Sequence, residues 1–246
     1  MLLLAWSRWR GIALLRADGS LAGGLLAGSL FAVEFGCIFF GLQFTAASRM
    51  IVFIYLAPFV VALGMPFISR AERLNRRQVA GLLAAFGGVV WAFSEGFVQP
   101  AAGPRQWLGD ALGIAAAVLW GMTTLVLRAS RLSTAAPEKT LLWQLVVSGV
   151  ALSVAALVGG ESLAAAPTAH SLLPLAFQTV IVTFASYLVW FWLMRHYPAT
   201  RLSSFTLLTP VFGLLAGVLL LHEPVTPRLL VALAAVVLGI ALVNRS

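Results

Sequence analysis

Long apolar runs follow one another along this chain, each closed by a small polar or basic cluster. The pattern predicts eight hydrophobic helices, at about 21–44, 48–69, 78–97, 108–128, 140–160, 172–195, 201–221 and 228–243. A helix needs about 20 apolar residues to cross the hydrocarbon core of a bilayer. Residues 50–68 and 202–221 carry no charge over such a length. The charge-free cores 79–93 and 229–243 are shorter, and flanking Arg77 and Arg228 can snorkel to close the gap. The runs are too long and continuous for barrel strands, which are about ten residues and alternate.

One stretch of this pattern occurs twice. Residues 47–58 read ASRMIVFIYLAP and residues 199–210 read ATRLSSFTLLTP, at a constant offset of 152. Each copy is followed by an acidic residue, Glu72 or Glu223, and then by Arg77 or Arg228. Basic residues alternate sharply between loops, with thirteen on one side and only Arg49, Arg105 and Arg228 on the other. The positive-inside rule places the first set, and the C-terminus, in the cytoplasm. Helix 48–69 then runs inward and helix 201–221 outward, so the repeat is an inverted one, the usual plan of a secondary transporter. The offset leaves helix 140–160 paired only with a stub at residues 1–6, and helix 108–128 paired with nothing. The expectation is a ten-helix inverted-repeat parent lacking its first helix and most of the second. The chain then divides into a shortened first repeat at 1–97, a periplasmic linker at 98–107 and a second repeat at 108–246.

Composition supports the membrane assignment. Hydrophobic residues make up 61% and charged residues 10% of the chain, and the mean hydropathy is +0.99. A soluble domain carries about 25% charge. The expected fold class is therefore an all-α polytopic bundle of about eight transmembrane helices, with the lipid bilayer as its surroundings. A pI of 11.2 would point to nucleic acid in a soluble protein. Here the arginines lie at the ends of apolar runs, so no nucleic-acid partner is expected. Cys37 is the sole cysteine and excludes an intrachain disulfide, and three scattered histidines form no metal cluster. No cofactor is expected. The opening run 1–6 is too short for the core of a signal peptide and is followed by Arg8 and Arg10.

The repeated unit combines a short polar turn, a helix with L-x-P, an E-x-[LV]-x-x-[RQ] loop and a small-residue helix. It stands as TAASRMIVFIYLAPFVVALGMPFISRAERLNRRQVAGLLAAFGGVVWAF and again as PATRLSSFTLLTPVFGLLAGVLLLHEPVTPRLLVALAAVVLGIALV. These segments resemble the EamA-type repeat of the drug/metabolite transporter superfamily. The resemblance implies ten helices with cytoplasmic termini. It also implies a central cavity lined by the first, third and fourth helix of each half, and says almost nothing about substrate.

Glu34 is the sharpest candidate for chemistry, because it sits mid-helix in SLFAVEFGCIFF. An ionisable group at that depth is costly and marks function by default. It can take up protons as the coupling ion or bind a substrate amine; the competing reading is a protonated structural carboxyl. Pro58 and Pro210 are expected mid-helix in both copies, as hinges, cavity lining or static kinks. Tyr55, Thr206 and Thr209 lie beside them and either satisfy freed backbone groups or face substrate. Trp120 and Tyr187, with Trp190 and Phe191, are aromatics on helices that the resemblance places at the cavity. Such walls suit amphipathic solutes and cations; for Trp190 and Trp192 lipid-facing packing is the better reading. Gln43, Gln144 and Gln178 read as interhelical glue. Three small-residue faces, Gly24-x-x-x-Gly28, Ala84-x-x-x-Gly88 and Ala235-x-x-x-Gly239, allow close helix approach, within the monomer or across a homodimer. Glu72 and Glu223 are expected in local ion pairs or helix caps.

The function these residues favour is a carrier exporting or importing a small organic metabolite by alternating access. Two other readings compete. One is a non-transporting remnant or partner subunit, suggested by the missing helices. The other is an intramembrane enzyme, against which stand the lack of H-E-x-x-H after His222 and of facing aspartates, since Asp18 and Asp110 lie at helix edges.

Overall fold

The structure is a computed structural model that describes residues 1–94, 97, 103–160, 169–209, 211–213, 215 and 227–244. The described elements are helical throughout. They run α1 (Leu2–Trp9), α2 (Leu21–Gly41), α3 (Ala47–Ile54), α4 (Ala57–Ile68), α5 (Arg76–Ala92), α6 (Gln106–Ala129) and α7 (Pro137–Val158). There follow α8 (Ala169–Phe177), a π-helical segment (Gln178–Ser186), α9 (Tyr187–His196), α10 (Ala199–Phe205), a 3₁₀ turn (Thr206–Leu208) and α11 (Pro227–Asn244). Five spans among the described residues are long and apolar enough to cross a membrane: Leu21–Gly41, Ala47–Ile68, Gln106–Ala129, Pro137–Val158 and Ser171–His196. The chain is an all-α polytopic membrane protein.

Apolar runs become helices here because a bilayer offers no water to unpaired backbone groups, and a helix pairs them all internally. Proline sets the exceptions. The run expected as one helix at 48–69 is interrupted, with α3 ending at Ile54 and α4 starting at Ala57. Pro58 has no N–H to offer the Ile54 carbonyl and its ring crowds that carbonyl, so the break falls four residues upstream. The turn tightens instead, with Leu56 N donating to Phe53 O at 3.0 Å and Phe59 N to Leu56 O at 3.0 Å. The second copy leaves regular α geometry at the corresponding place, where Phe205 gives way to the 3₁₀ turn. Pro210 itself lies outside the described residues, as do Glu223 and the expected helix end at 216–221.

Two compact units emerge, and both draw on each side of residues 98–107. One comprises Met1–Ala32 and Val126–Tyr197, the other Val33–Leu125 and Pro198–Ser246. In the second unit the core gathers Leu82, Val89, Leu207, Val211, Val236 and Val243. Its centre is the α5–α11 seam. A Cβ on Gly81 would stand 2.5 Å from the Gly239 carbonyl oxygen, and one on Gly88 would stand 2.9 Å from the Ala232 carbonyl oxygen. As one residue number rises the other falls, so the helices run antiparallel with their backbones nearly touching. Gln78 locks the end of this seam. Its side chain completes a capping box with Asn75 and donates from Nε2 to Val243 O at 2.9 Å.

The first unit packs Leu3, Ala27, Leu127, Leu132, Leu141 and Phe191. Gly24 lets α2 approach the Trp143 ring and Gly28 lets it approach Val147. Gly24, Gly28, Gly88, Ala235 and Gly239 of the expected small-residue faces thus meet helices of the same chain, whereas Ala84 is exposed. Trp190, expected to face lipid, packs half-buried against this core, whereas Trp192 is exposed. Polar ties surround the unit. Lys139, buried at the start of α7, reaches the Arg16 carbonyl and Asp18, the latter at 2.8 Å. Lys139 and the Ser20 hydroxyl and amide hold the Asp18 carboxyl well below the usual carboxylate range.

Candidate functional site

Glu34 lies in α2 and is buried, at 6% exposure. Its Oε2 meets no hydrogen-bond donor among the described residues. A carboxyl oxygen left so in an apolar span is a large cost, retained where the group has work to do. Phe31, one helical turn earlier and on the same face of α2, stacks edge-on with Tyr187 at 5.7 Å. Ser186, the residue that the offset pairs with Glu34, spends its hydroxyl on the Val182 carbonyl.

The helix break assembles a second group. Tyr55 closes α3, and its ring meets Trp120 of α6 edge-on at 6.1 Å. Pro58, two residues into α4, is fully buried beneath. Thr206 does not present a free hydroxyl donor: it donates to the Ser203 carbonyl at 2.7 Å. That is back-bonding to the preceding turn, which eases a helix out of regular geometry. Of the residues singled out by sequence, Tyr55, Pro58, Trp120 and Thr206 thus belong with Glu34 to one compact unit. Tyr187 belongs to the other, half-buried against Phe31 and Phe191. Pro210 lies outside the described residues.

Two polar features escaped the sequence reading. Arg49 grips Asp110 bidentately, with Nε donating to Oδ1 at 3.0 Å and Nη2 to Oδ2. Thr45 Oγ1 adds a bond to Oδ1 at 2.7 Å, and the guanidinium lies 4.3 Å over the Phe97 ring. Sixty-one residues separate the charges, and each alone looked like a loop residue. The second is Glu72. It is buried and accepts from Thr200 N at 3.1 Å, so it caps the start of α10 from a distant loop. A helix cap was expected of it, but not the helix it serves. Gln144, expected as interhelical glue, is buried with its Oε1 unbonded among the described residues, while Gln43 and Gln178 are exposed.

A helical membrane chain with a lone carboxyl and a proline-broken span suits a carrier, and the relatives agree. Residues 107–245 match the EamA-like transporter family, and the chain belongs to that family. It is 28% identical to the uncharacterized transporter YvbV of Bacillus subtilis strain 168, over 83% of this chain and 65% of that one. It is 32% identical to the uncharacterized protein PA1977 of Pseudomonas aeruginosa, over 74% of this chain and 60% of that one. A protein of Escherichia coli K12 named a probable amino-acid metabolite efflux pump is 27% identical, over 78% of this chain and 66% of that one. The chain thus spans about two thirds of the length of these relatives. One crystal structure superposes with a TM-score of 0.84 at 22% identity, covering 99% of this chain and 82% of that chain, a likeness of fold.

Proposed function

We propose that this protein is a secondary transporter of the bacterial cytoplasmic (inner) membrane, with its C-terminus in the cytoplasm. It moves a small organic metabolite outward by alternating access. Its cargo is an amino acid, a related metabolite or a drug-like solute, and it acts as a carrier rather than an enzyme. The observation that carries this reading is Glu34, a buried carboxyl with an unbonded oxygen inside a membrane span of a transporter-family chain. Glu34 binds the coupling proton or a substrate amine, and Tyr55, Trp120 and Tyr187 supply aromatic walls. Pro58 and Pro210 mark the paired flexing points. The two segments 1–97 and 108–246, joined by a periplasmic linker at 98–107, act as inverted halves. The relative named as an amino-acid metabolite efflux pump supports the substrate class.

The test is flux. The full chain is reconstituted into proteoliposomes and challenged with labelled amino acids under an imposed pH gradient. Substrate flux that follows the gradient is expected, with Glu34→Gln reducing it tenfold or more. Unchanged flux and unchanged pH dependence in that variant would remove Glu34 from the mechanism. A folded wild type that moves none of these solutes would remove the reading itself.

A further inference from the structure

At the arginine-rich end of the first unit lies a cavity of about 380 Å³ that the transport reading does not use. Three stretches of chain build it: the end of α1 and the residues just after it, the start of α7 and one side of α9 along its length. Arg10 and Arg195 line it, and among the described residues neither guanidinium forms an ion pair. Arg10 rests over the Trp6 ring, 5.6 Å from its centroid. Glu138 is the one carboxylate in the lining. It is buried, accepts the Trp6 indole N–H at 3.1 Å and sits in the first turn of α7, where the helix dipole favours it. Its charge is thereby partly satisfied, and the two arginines keep the cavity positive. The remaining wall is apolar, with Ile12, Leu188 and Val189. Trp192 completes it, exposed and stacked 4.5 Å from the His196 ring.

We infer that this cavity is a binding site for one anionic phospholipid, with its phosphate between Arg10 and Arg195 and an acyl chain along Leu188 and Val189. Arginine forks match phosphate oxygens bidentately. Tryptophan and arginine near the ends of membrane helices mark the headgroup level, and basic pockets between such helices take acidic headgroups. A generic interfacial belt needs no walled cavity. Here the wall is made by a long-range contact, Trp6 to Glu138, that holds α1 against α7. The site stands independently of the transport reading.

The experiment titrates the purified full chain in neutral detergent with phosphatidylglycerol and with phosphatidylcholine, following bound lipid by native mass spectrometry. Phosphatidylglycerol is expected to bind preferentially. The double variant Arg10→Gln/Arg195→Gln should weaken it about thirtyfold, at roughly fivefold per lost cation near an anionic headgroup. Should that variant misfold, Arg10→Lys/Arg195→Lys keeps the charge without the fork and is expected to bind severalfold more weakly than wild type. Equal binding of the two lipids by the wild type would overturn the proposal, as would undiminished preference in either variant. Full displacement of the lipid by an equal concentration of glycerol phosphate would also overturn it, in favour of a site for a free anion.

Discussion

The glycine seam of one compact unit and the polar ties of the other hold helices by different means. One relies on absence of side chain: Gly81, Gly88 and Gly239 let α5 and α11 touch backbone to backbone. The other relies on polar reach, with Lys139 on the Arg16–Asp18 loop, Trp6 on Glu138 and Arg128 Nη1 on the Met194 carbonyl at 2.7 Å. Lipid tails are as apolar as leucine, so helices in a bilayer gain nothing from merely hiding apolar surface. Fit or polar bonding must supply the difference. Fit serves the middle of a span, where charge is expensive, and polar ties serve its ends, where water relieves unmet groups.

That contrast breaks most readily at the seam. Gly239→Val places a Cβ 2.4 Å from the Gly81 carbonyl oxygen and 2.5 Å from Ala85 N, which a backbone cannot yield cheaply. We expect a loss of about 3 kcal/mol or more, seen as collapse of the thermal transition in detergent. Gly87→Ala, on the facing helix α5 with nothing within 4 Å, should leave it unchanged or slightly raised. Equal effects from the two would show that close approach does not hold the seam.

The next largest effect falls on the bidentate ion pair of the seam's own unit. Arg49 and Asp110 are 14% and 16% exposed, between a buried pair and a surface one. Asp110→Ala should cost about 2–3 kcal/mol by stranding the guanidinium. The double change Arg49→Leu/Asp110→Leu should recover most of that, because the burden is the unpaired charge. A double variant no better than the single one would mean that the pair contributes attraction of its own.

The smallest effect lies in the first unit. Asp18 titrates below its ordinary value of 3.8 when folded, so between the two values the unfolded chain holds more protons. Its contribution is complete above the ordinary carboxylate range and is lost progressively as pH falls from there toward the lowered folded value. A stability profile from about pH 5 to pH 2.5 should decline for the wild type and flatten for Asp18→Asn. Parallel profiles would show that Lys139 holds the loop through the Arg16 carbonyl alone.

Much was legible in the chain. The expected spans at 21–44, 108–128 and 140–160 overlap α2, α6 and α7 to within a few residues, because continuous apolar length is a one-dimensional property. Pro58 was expected to disturb its helix, and it does, by a local rule that acts four residues upstream. Helix partners were not legible. Arg49 and Asp110, Glu72 and Thr200, Gln78 and Val243 each meet across long separations, and nothing local marks them as pairs. The small-residue faces announced close packing without naming the helix that fills them.

By itself, then, the sequence determined that this chain enters a membrane as helices, roughly where its longest apolar spans lie, and that Glu34 is buried at a cost. Backbone hydrogen bonding and hydropathy act within a single segment, so no neighbour is needed to read them. Only the tertiary structure decided that Gly81 meets Gly239, that Asp110 receives Arg49 and that Thr206 turns its hydroxyl to its own backbone. Those outcomes depend on shape and on a contest among many possible partners, which is settled only when the helices pack.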